Sequence, residues 1–230
     1  MLTTAQLRFT EWRKDKHHRL YVQEGTIRLG YLDLKRGTVG DEPEVGGLAA
    51  TLLAAGLTLT DLLRRYCNDP HEYEVRAIFP DYNPGFLGSG AAYRLYFDGG
   101  TEGGNPGDGY GSYCLFTADA GLHFPKVSEP AVLSQFAPNM TNNVAEYLAL
   151  ISGLEALHAR LRVGRMQPED CVLDIWGDSQ LVIEQTAGNW AVNKPHLVPY
   201  QQTAHDLVAA FGEVQLRHHY RVHSLIHLGH

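Results

Sequence analysis

The sequence lacks long apolar runs and has few cysteines, and these two features exclude several classes of protein. No stretch approaches the ~18 apolar residues that a membrane-spanning helix needs. Residues 1–14 lack the apolar segment of a secretory signal peptide. The cysteines are widely spaced and odd in number, which argues against a disulfide framework or a zinc ribbon. We therefore expect a soluble, cytoplasmic protein with reduced thiols and no membrane partner.

Charge is distributed unevenly along the chain. The 230 residues are 44% hydrophobic and 20% charged, which suits one large or two small globular domains. Residues 1–90 carry 11 Lys and Arg against 12 Asp and Glu, and residues 91–230 carry 8 against 14. Residues 8–36 alone hold eight Lys and Arg against four acidic residues. This basic segment predicts salt-dependent binding to nucleic acid phosphates. Within it, Trp12 and Tyr21 are expected to pack in the core, with stacking on bases as the alternative.

The first 80 residues predict a small α+β domain. Period-2 alternation predicts strands at residues 20–22, 27–34 and 73–79. A helix over residues 62–67 is expected, with Thr60 or Asp61 as its N-cap. Residues 81–92 are rich in glycine, proline and small residues and are predicted to be an interdomain linker.

Residues 93–230 predict a second domain, of the α/β class. Strands are expected at residues 93–98, 110–116, 122–127, 171–176 and 214–222, and helices at residues 141–161, 181–185 and 200–211. Asp98 and Asp178 each follow a predicted strand directly, and Glu146 lies in the second turn of the first helix. Because a βαβ crossover packs its helix against the sheet, the three carboxylates are expected near one sheet edge.

The residue pattern leaves two explanations of these carboxylates open. Clustered carboxylate oxygens are the ligands that Mg²⁺ and Mn²⁺ prefer, which predicts a divalent-metal site for a phosphate substrate. Alternatively, Asp98 caps a turn of the glycine-rich hairpin that follows it, Asp178 caps the next helix, and Glu146 is a solvated helix residue.

Three sequence motifs, taken in their order along the chain, resemble those of a known family, and this resemblance favours the metal site. The motifs are FDGGTEGGNPGDGYGSY at residues 97–113, TNNVAEYLALISGLEAL at residues 141–157, and IWGDSQLVIEQTAGNW at residues 175–190 with PHLVPY after it. Over residues 93–222 they resemble the type 1 ribonuclease H family. The resemblance implies an α/β fold with a ribonuclease H-like, five-stranded mixed sheet flanked by helices, here preceded by the small α+β domain.

The same resemblance implies a metal-dependent endonuclease that hydrolyses the RNA strand of RNA–DNA hybrids and leaves 5′-phosphates. Asp98, Glu146 and Asp178 would be the catalytic ligands of two Mg²⁺ or Mn²⁺ ions, which activate water and stabilise the leaving oxygen. The residues implied to contact the hybrid are Gly99, Gly100, Asn105, Asn142, Asn143, Gln180 and Trp190. The ribose 2′-hydroxyl distinguishes RNA from DNA at such a site.

The sequence departs from the family pattern near its C-terminal end. The family has a fourth Asp at the start of a final helix, whereas no Asp or Glu follows Glu213 here. His230 is the expected fourth catalytic and metal-binding residue, with His227 as the alternative. Imidazole suits Mn²⁺ better than Mg²⁺. The structural alternative is that this histidine-rich end is a solvated strand and tail.

Two functions of different classes follow from these observations. The first is the metal-dependent hybrid endonuclease, which the three acidic positions favour. The second is a catalytically weak ribonuclease H-like module that binds nucleic acid or a protein partner, which the missing fourth carboxylate favours. The sequence leaves the oligomeric state and the preferred metal open.

Overall fold

Two compact units make up the chain. A computed structural model describes residues 7–41, 47–67, 74–83, 90–125 and 130–230. One unit comprises residues 1–70 and 220–230, and the other comprises residues 71–219. The sequence predicts domains at residues 1–80 and 93–230 with a linker at 81–92. Those boundaries stay predictions, since residues 84–89 of the linker lie outside the described residues.

The described residues of the first unit form a four-stranded antiparallel sheet and three helices. The strands, in spatial order, are β1 (Leu7–Lys14), β2 (His17–Glu24), β3 (Ile27–Asp33) and β4 (Thr38–Asp41). The helices are α1 (Leu48–Ala54), α2 (Leu59–Tyr66) and α7 (Arg221–Leu228). Their shared core includes Leu20, Val22 and Leu32 of the sheet with Leu52, Leu63 and Ile226 of the helices. Because side chains alternate along a strand, Leu20 and Val22 face the helices while the residues between and beside them face away.

The start of α2 differs from the prediction. Thr58 is the N-cap: its hydroxyl oxygen accepts a hydrogen bond from the backbone N–H of Asp61 at 3.1 Å. The prediction of Thr60 or Asp61 as the cap is therefore wrong. The helix predicted over residues 62–67 is present, but it begins three residues earlier, at Leu59, and ends at Tyr66. Asp61 instead acts from within the first turn, where its carboxylate accepts from the Thr58 hydroxyl.

The C-terminal segment also differs from the prediction. The strand expected at residues 214–222 ends at His218, and residues 221–228 form α7. Val222 and Ile226 are one helical turn apart, and both lie in the core of the first unit. Burial of that helical stripe explains why the alternating pattern does not continue as a strand. The alternative of a solvated strand and tail is therefore wrong.

Two further predicted strands are wrong. Within residues 73–79 the structure has α3 (Val75–Ile78), whose Val75 and Ile78 pack in one cluster with Phe79 and Tyr82 at helical spacing. The described residues 122–125 of the strand expected at 122–127 form no strand. Asp119 holds a tight turn there, because one of its carboxylate oxygens accepts from the backbone N–H groups of Gly121 and His123.

The second unit contains a five-stranded mixed sheet flanked by helices, as predicted. The spatial order is β7 (Val132–Gln135), β6 (Asp108–Thr117), β5 (Ala92–Glu102), β8 (Val172–Gly177) and β9 (Glu213–His218). The helices are α4 (Asn142–Val163), α5 (Gln180–Thr186) and α6 (Val198–Ala209). β5 is antiparallel to β6 and parallel to β8, which is in turn parallel to β9. Leu95, Phe97 and Ile175 of the sheet share a buried core with Leu150 and Leu154 of α4.

A buried ion pair joins β5 to β8. Arg94 and Asp174 are register partners, 2% and 0% exposed, with Nε of the arginine 2.7 Å from a carboxylate oxygen. That oxygen also accepts from the indole N–H of Trp176 at 2.7 Å, and Arg217 of β9 lies 3.2 Å from the other oxygen. The guanidinium of Arg94 also stacks 4.0 Å from the ring centroid of Phe124. The pair therefore fixes the relative register of three strands.

No helix within the described ranges combines the length and apolar character that a bilayer crossing requires.

Replacing Arg94 by Met should destabilise the protein by about 3–5 kcal/mol, because it leaves a buried carboxylate with fewer partners. The double variant Arg94→Met with Asp174→Leu should lose much less than the sum of the single losses. Urea denaturation measures both, with Arg76→Met on the exposed side of α3 as the matched control. A loss below about 1 kcal/mol for Arg94→Met, comparable with surface substitutions, would contradict the role given to this pair.

Candidate metal centre

Asp98 and Asp178 come directly after the last residue pair of the parallel β5–β8 ladder. Asp98 lies within β5, which continues to Glu102, so the prediction that it ends a strand is wrong, whereas Asp178 follows the last residue of β8. Phe97 of β5 pairs with Gly177 of β8, so Asp98 and Asp178 occupy the next position along each strand. Neighbouring strands are about 4.8 Å apart, and this register therefore brings the two side chains together. Asp98 is fully buried, whereas Asp178 is partly exposed.

Glu146 joins the aspartates from the second turn of α4, where it is 9% exposed. One ligand oxygen from each of Asp98, Glu146 and Asp178 lies within 4.8 Å of the other two. The structure therefore brings together the three carboxylates that the sequence predicts to converge.

Gly99 permits this convergence. A Cβ atom at that position would collide with the backbone of Ala145 and with the backbone nitrogen of Glu146. Only glycine therefore lets the first turns of α4 touch β5 directly beside Asp98. Gly99 was predicted to contact substrate, and that role stays a prediction; its packing role is an additional finding.

The three carboxylates fit a divalent cation. Negative charges this close repel one another, more strongly in a buried setting than in water, and a bound cation removes that repulsion. The donors are all hard oxygens, the type that Mg²⁺ and Mn²⁺ prefer. Exposure of Asp178 leaves one side of the cluster open to water or to a phosphate oxygen.

Several predicted substrate contacts lie on the hairpin loop and at the start of α4. The backbone N–H of Asn142 donates to the side-chain oxygen of Asn105 at 3.2 Å. The hydroxyl of Thr101 lies 2.6 Å from the side-chain oxygen of Asn142. The glycine-rich loop between β5 and β6 is thus tied to the N-terminus of α4, and Asn143 follows on the same turn. Gly100 packs against the ring of Tyr110, which a Cβ atom would strike.

The remaining predicted contacts lie around α5. Gln180 is the first residue of α5, two positions after Asp178, and is exposed. Trp190 lies in the loop after α5 and is 46% exposed. That loop is held by Gln185, whose side-chain nitrogen donates to the carbonyl of Ala191 at 3.0 Å. The hydroxyl of Tyr147 donates to the side-chain oxygen of Gln185, and burial raises the pKa of Tyr147 to about 12, so this donor keeps its proton.

Sequence analysis missed two polar residues beside the aspartates. Ser112 of β6 is the register partner of Asp98 and is 1% exposed. His218, the last residue of β9, pairs with Gly177, and its Nε2 lies 3.2 Å from the backbone oxygen of Asp178. The strand-end rule that identified Asp98 and Asp178 would have found His218 had the end of β9 been placed correctly.

The C-terminal histidines belong to the first compact unit. His227 is buried on α7, and His230 follows Gly229, whose left-handed φ of 90° ends the helix. The assignment of His230 or His227 as a fourth ligand stays a prediction.

The variant Gly99→Ala should separate α4 from β5 and cost about 1–3 kcal/mol of stability, as overpacking does. It should also weaken the rise in melting temperature that added Mn²⁺ produces, because Glu146 moves with its helix. Gly164→Ala is the matched control, since the nearest atom to a Cβ there is 3.5 Å away and its φ is −74°. Equal behaviour of the two variants would contradict the role of Gly99.

Replacing Glu146 by Gln should leave the metal-free protein at least as stable as the wild type, because it relieves repulsion among the carboxylates. The melting-temperature rise with Mg²⁺ or Mn²⁺ should largely disappear. Glu155→Gln, at an exposed position of the same helix, is the control. A full metal-dependent rise in the Glu146 variant would show that this carboxylate is not a ligand.

Part of the chain matches a known protein family. Residues 131–225 match the reverse transcriptase-like family. Ribonuclease HI of Halobacterium salinarum is 33% identical over 129 residues, which are 56% of this chain and 57% of that protein. A bifunctional protein of Mycobacterium tuberculosis is 36% identical over 118 residues, 51% of this chain and 28% of that protein. The chain thus spans less than two thirds of the length of either relative.

Solved structures resemble part of the chain as well. The crystal structure of ribonuclease H1 from Halobacterium salinarum shares 29% identity and covers 60% of this chain and 92% of its own, with a TM-score of 0.48. LC11 ribonuclease H1, solved in complex with an RNA/DNA hybrid, shares 25% identity and covers 56% and 86%, with a TM-score of 0.44. The matched family segment includes Glu146 and Asp178. Residues 131–225 are therefore similar in sequence to the reverse transcriptase-like family, and they contribute β7, β8 and β9 to the five-stranded mixed sheet.

Proposed function

We propose that this protein is a metal-dependent ribonuclease H that hydrolyses the RNA strand of RNA–DNA hybrids. The observation that carries the proposal is the approach of Asp98, Glu146 and Asp178 to within 4.8 Å of one another, where the parallel pairing of β5 with β8 ends. A relative named ribonuclease HI and a similar structure that holds an RNA/DNA hybrid support the choice of substrate.

The three carboxylates would hold one or two divalent cations, and two ions are proposed. Bound ions of this kind activate a water molecule and stabilise the leaving oxygen of a phosphodiester. The chain itself supplies fixed anions: Asp98 is held by β5, Asp178 by the adjacent β8, and Glu146 by α4. The products would carry a 5′-phosphate.

The loop and helix starts beside the cluster would hold the hybrid. The side-chain oxygen of Asn105 is oriented by the backbone N–H of Asn142, which donates to it, and the side chain of Asn142 is oriented by the hydroxyl of Thr101. Amides are suited to the base edges and 2′-hydroxyls that the shallow minor groove of an A-like duplex displays. Asn143 and Gln180 are proposed as further contacts on the same basis, and Trp190 is proposed as a contact through its exposed ring.

The test is cleavage of a hybrid whose RNA strand is labelled at its 5′ end, with EDTA, Mg²⁺ and Mn²⁺ in separate reactions. The wild type should cut the hybrid with either ion and not in EDTA, and should leave single-stranded RNA and duplex DNA intact. Asp98→Asn should lower the rate at least about 100-fold, since even outer partners of metal ligands contribute 10- to 100-fold. Asp206→Asn, an exposed carboxylate on α6, should cut normally.

The outcomes separate the proposed nuclease from a binding module. Hybrid that is bound but not cut with either metal would identify a catalytically weak module. Cleavage that persists at the wild-type rate in Asp98→Asn would place the active centre elsewhere.

A further inference from the structure

The four-stranded sheet of the first unit carries three aromatic rings from three consecutive strands: Trp12 on β1, Tyr21 on β2 and Tyr31 on β3. The ring centroids of Trp12 and Tyr21 are 6.3 Å apart, and those of Tyr21 and Tyr31 are 5.7 Å apart. Each ring is partly exposed. We call these rings and the arginines that contact them the aromatic face.

The aromatic face lies opposite the core of its unit. Leu20 and Val22, on either side of Tyr21, are buried against the helices, so Tyr21 points the other way. The β1–β2 register places Trp12 opposite Arg19, and the β2–β3 register places Tyr31 opposite Tyr21. Among the described residues, the hydrophobic core of the unit includes none of the three rings. The sequence-based expectation that Trp12 and Tyr21 pack in the core is therefore wrong.

Arginines lie over these rings. The guanidinium carbon of Arg19 is 4.2 Å from the ring centroid of Tyr31 and 5.9 Å from that of Trp12. The guanidinium carbon of Arg28 is 4.4 Å from the ring centroid of Tyr21. These distances are those of cation–π contacts, which fix each ring and keep positive charge beside it.

The charge of the aromatic face is predominantly positive. Arg8 and Lys14 are exposed and lie on the same side of β1 as Trp12, by the alternation of the strand. Asp33, the register partner of Arg19, is 6% exposed, and one of its oxygens accepts from the backbone N–H groups of Lys35 and Arg36. One oxygen of this carboxylate is thus turned to the backbone, while Arg8 and Lys14 are exposed on the aromatic face.

We propose that the aromatic face binds an unpaired stretch of nucleic acid. Unpaired bases stack on aromatic rings and on arginine planes without regard to sequence, while the phosphates between them need cations. The aromatic face supplies both kinds of group, and its charge complements a polyanion. Paired bases in a duplex already stack on one another and cannot occupy the rings. Binding here is independent of the nuclease activity proposed for the second unit.

The test uses the full-length protein in EDTA, where no cleavage can occur. Fluorescence anisotropy measures binding of labelled 12-nucleotide oligo(dT) and oligo(U), and of a blunt 12-base-pair DNA duplex. Both single strands should bind more tightly than the duplex. Trp12→Ala and Tyr21→Ala should each weaken single-strand binding roughly 5- to 100-fold, the range for removal of one stacked base. Trp12→Phe, which keeps a ring, should restore much of the affinity.

Tyr220→Ala is the matched control. Tyr220 is 53% exposed in the same unit and contacts a cation, Lys35, but it precedes α7 and lies off the sheet. The Tyr220→Ala variant should bind single strands as tightly as the wild type does. Circular dichroism of each variant establishes that the sheet is intact, so that weaker binding reports the ring and not unfolding.

Salt dependence gives a second, independent measurement. The double variant Arg8→Gln with Lys14→Gln should reduce the slope of log affinity against log salt by about 1.4, which is 0.7 for each phosphate that is no longer neutralised. Absence of single-strand binding, or equal affinity of the wild type and both ring variants, would overturn the proposal. Duplex binding as tight as single-strand binding, and equally weakened by Trp12→Ala, would also overturn it. Since EDTA suppresses cleavage in every arm, these outcomes are distinct from a failure of the proposed nuclease.

Discussion

Direct contact between the backbone of α4 and the β5–β6 hairpin is the constraint on which the candidate site depends. At three positions of this contact a side chain would force the elements apart: Gly99 beside Ala145, Gly111 beside Ala149, and Gly153 beside Leu95. The side chain of Glu146 projects from α4 beside Gly99, where helix and strand are in closest contact. A carboxylate has a short reach, so the separation of helix and sheet decides whether Glu146 meets Asp98. The glycines that look like turn residues in the sequence therefore also determine the spacing of the ligands.

The buried ion pair between Arg94 and Asp174 also supports the site, through electrostatics and not through packing. Arg94 and Asp174 pair across β5 and β8 four residues before Asp98 and Asp178. A slip of one residue between these strands would separate the ion pair and turn its charges to the opposite face, which is costly in a buried setting. The ion pair thus selects the register in which the two aspartates are level. Packing positions Glu146, whereas electrostatics positions the aspartates.

The spacing of apolar residues along the sequence correctly predicted those elements whose structure depends mainly on residues close in the chain. The strand that leads to Asp98, the helix over Glu146 and the strand before Asp178 were all predicted, because each has a complete period in the sequence. The end of β5 was predicted wrongly at Asp98, since pairing with β6 extends that strand to Glu102. The errors occur where contacts with residues distant in the chain determine the structure. Residues 221–228, for example, form a helix because Val222 and Ile226 are buried with residues of the first unit. Core packing was also the wrong expectation for Trp12 and Tyr21, because a ring that faces a solvated arginine looks the same in sequence as a buried one. The fourth ligand expected at His230 lies just beyond that helix and stays a prediction.

The place of α7 in the first unit has a consequence for the order of events during synthesis. Residues 71–219 form a contiguous unit, so all of its segments have been translated before α7 emerges. The first unit, by contrast, needs Val222 and Ile226 to complete the hydrophobic cluster begun by Leu20 and Leu63. At 5–20 residues per second, roughly 10–30 s separate the synthesis of α2 from that of α7. During that interval the apolar side of the sheet in the first unit stays partly uncovered. It is covered only after α7, a later segment of the same chain, has been synthesised.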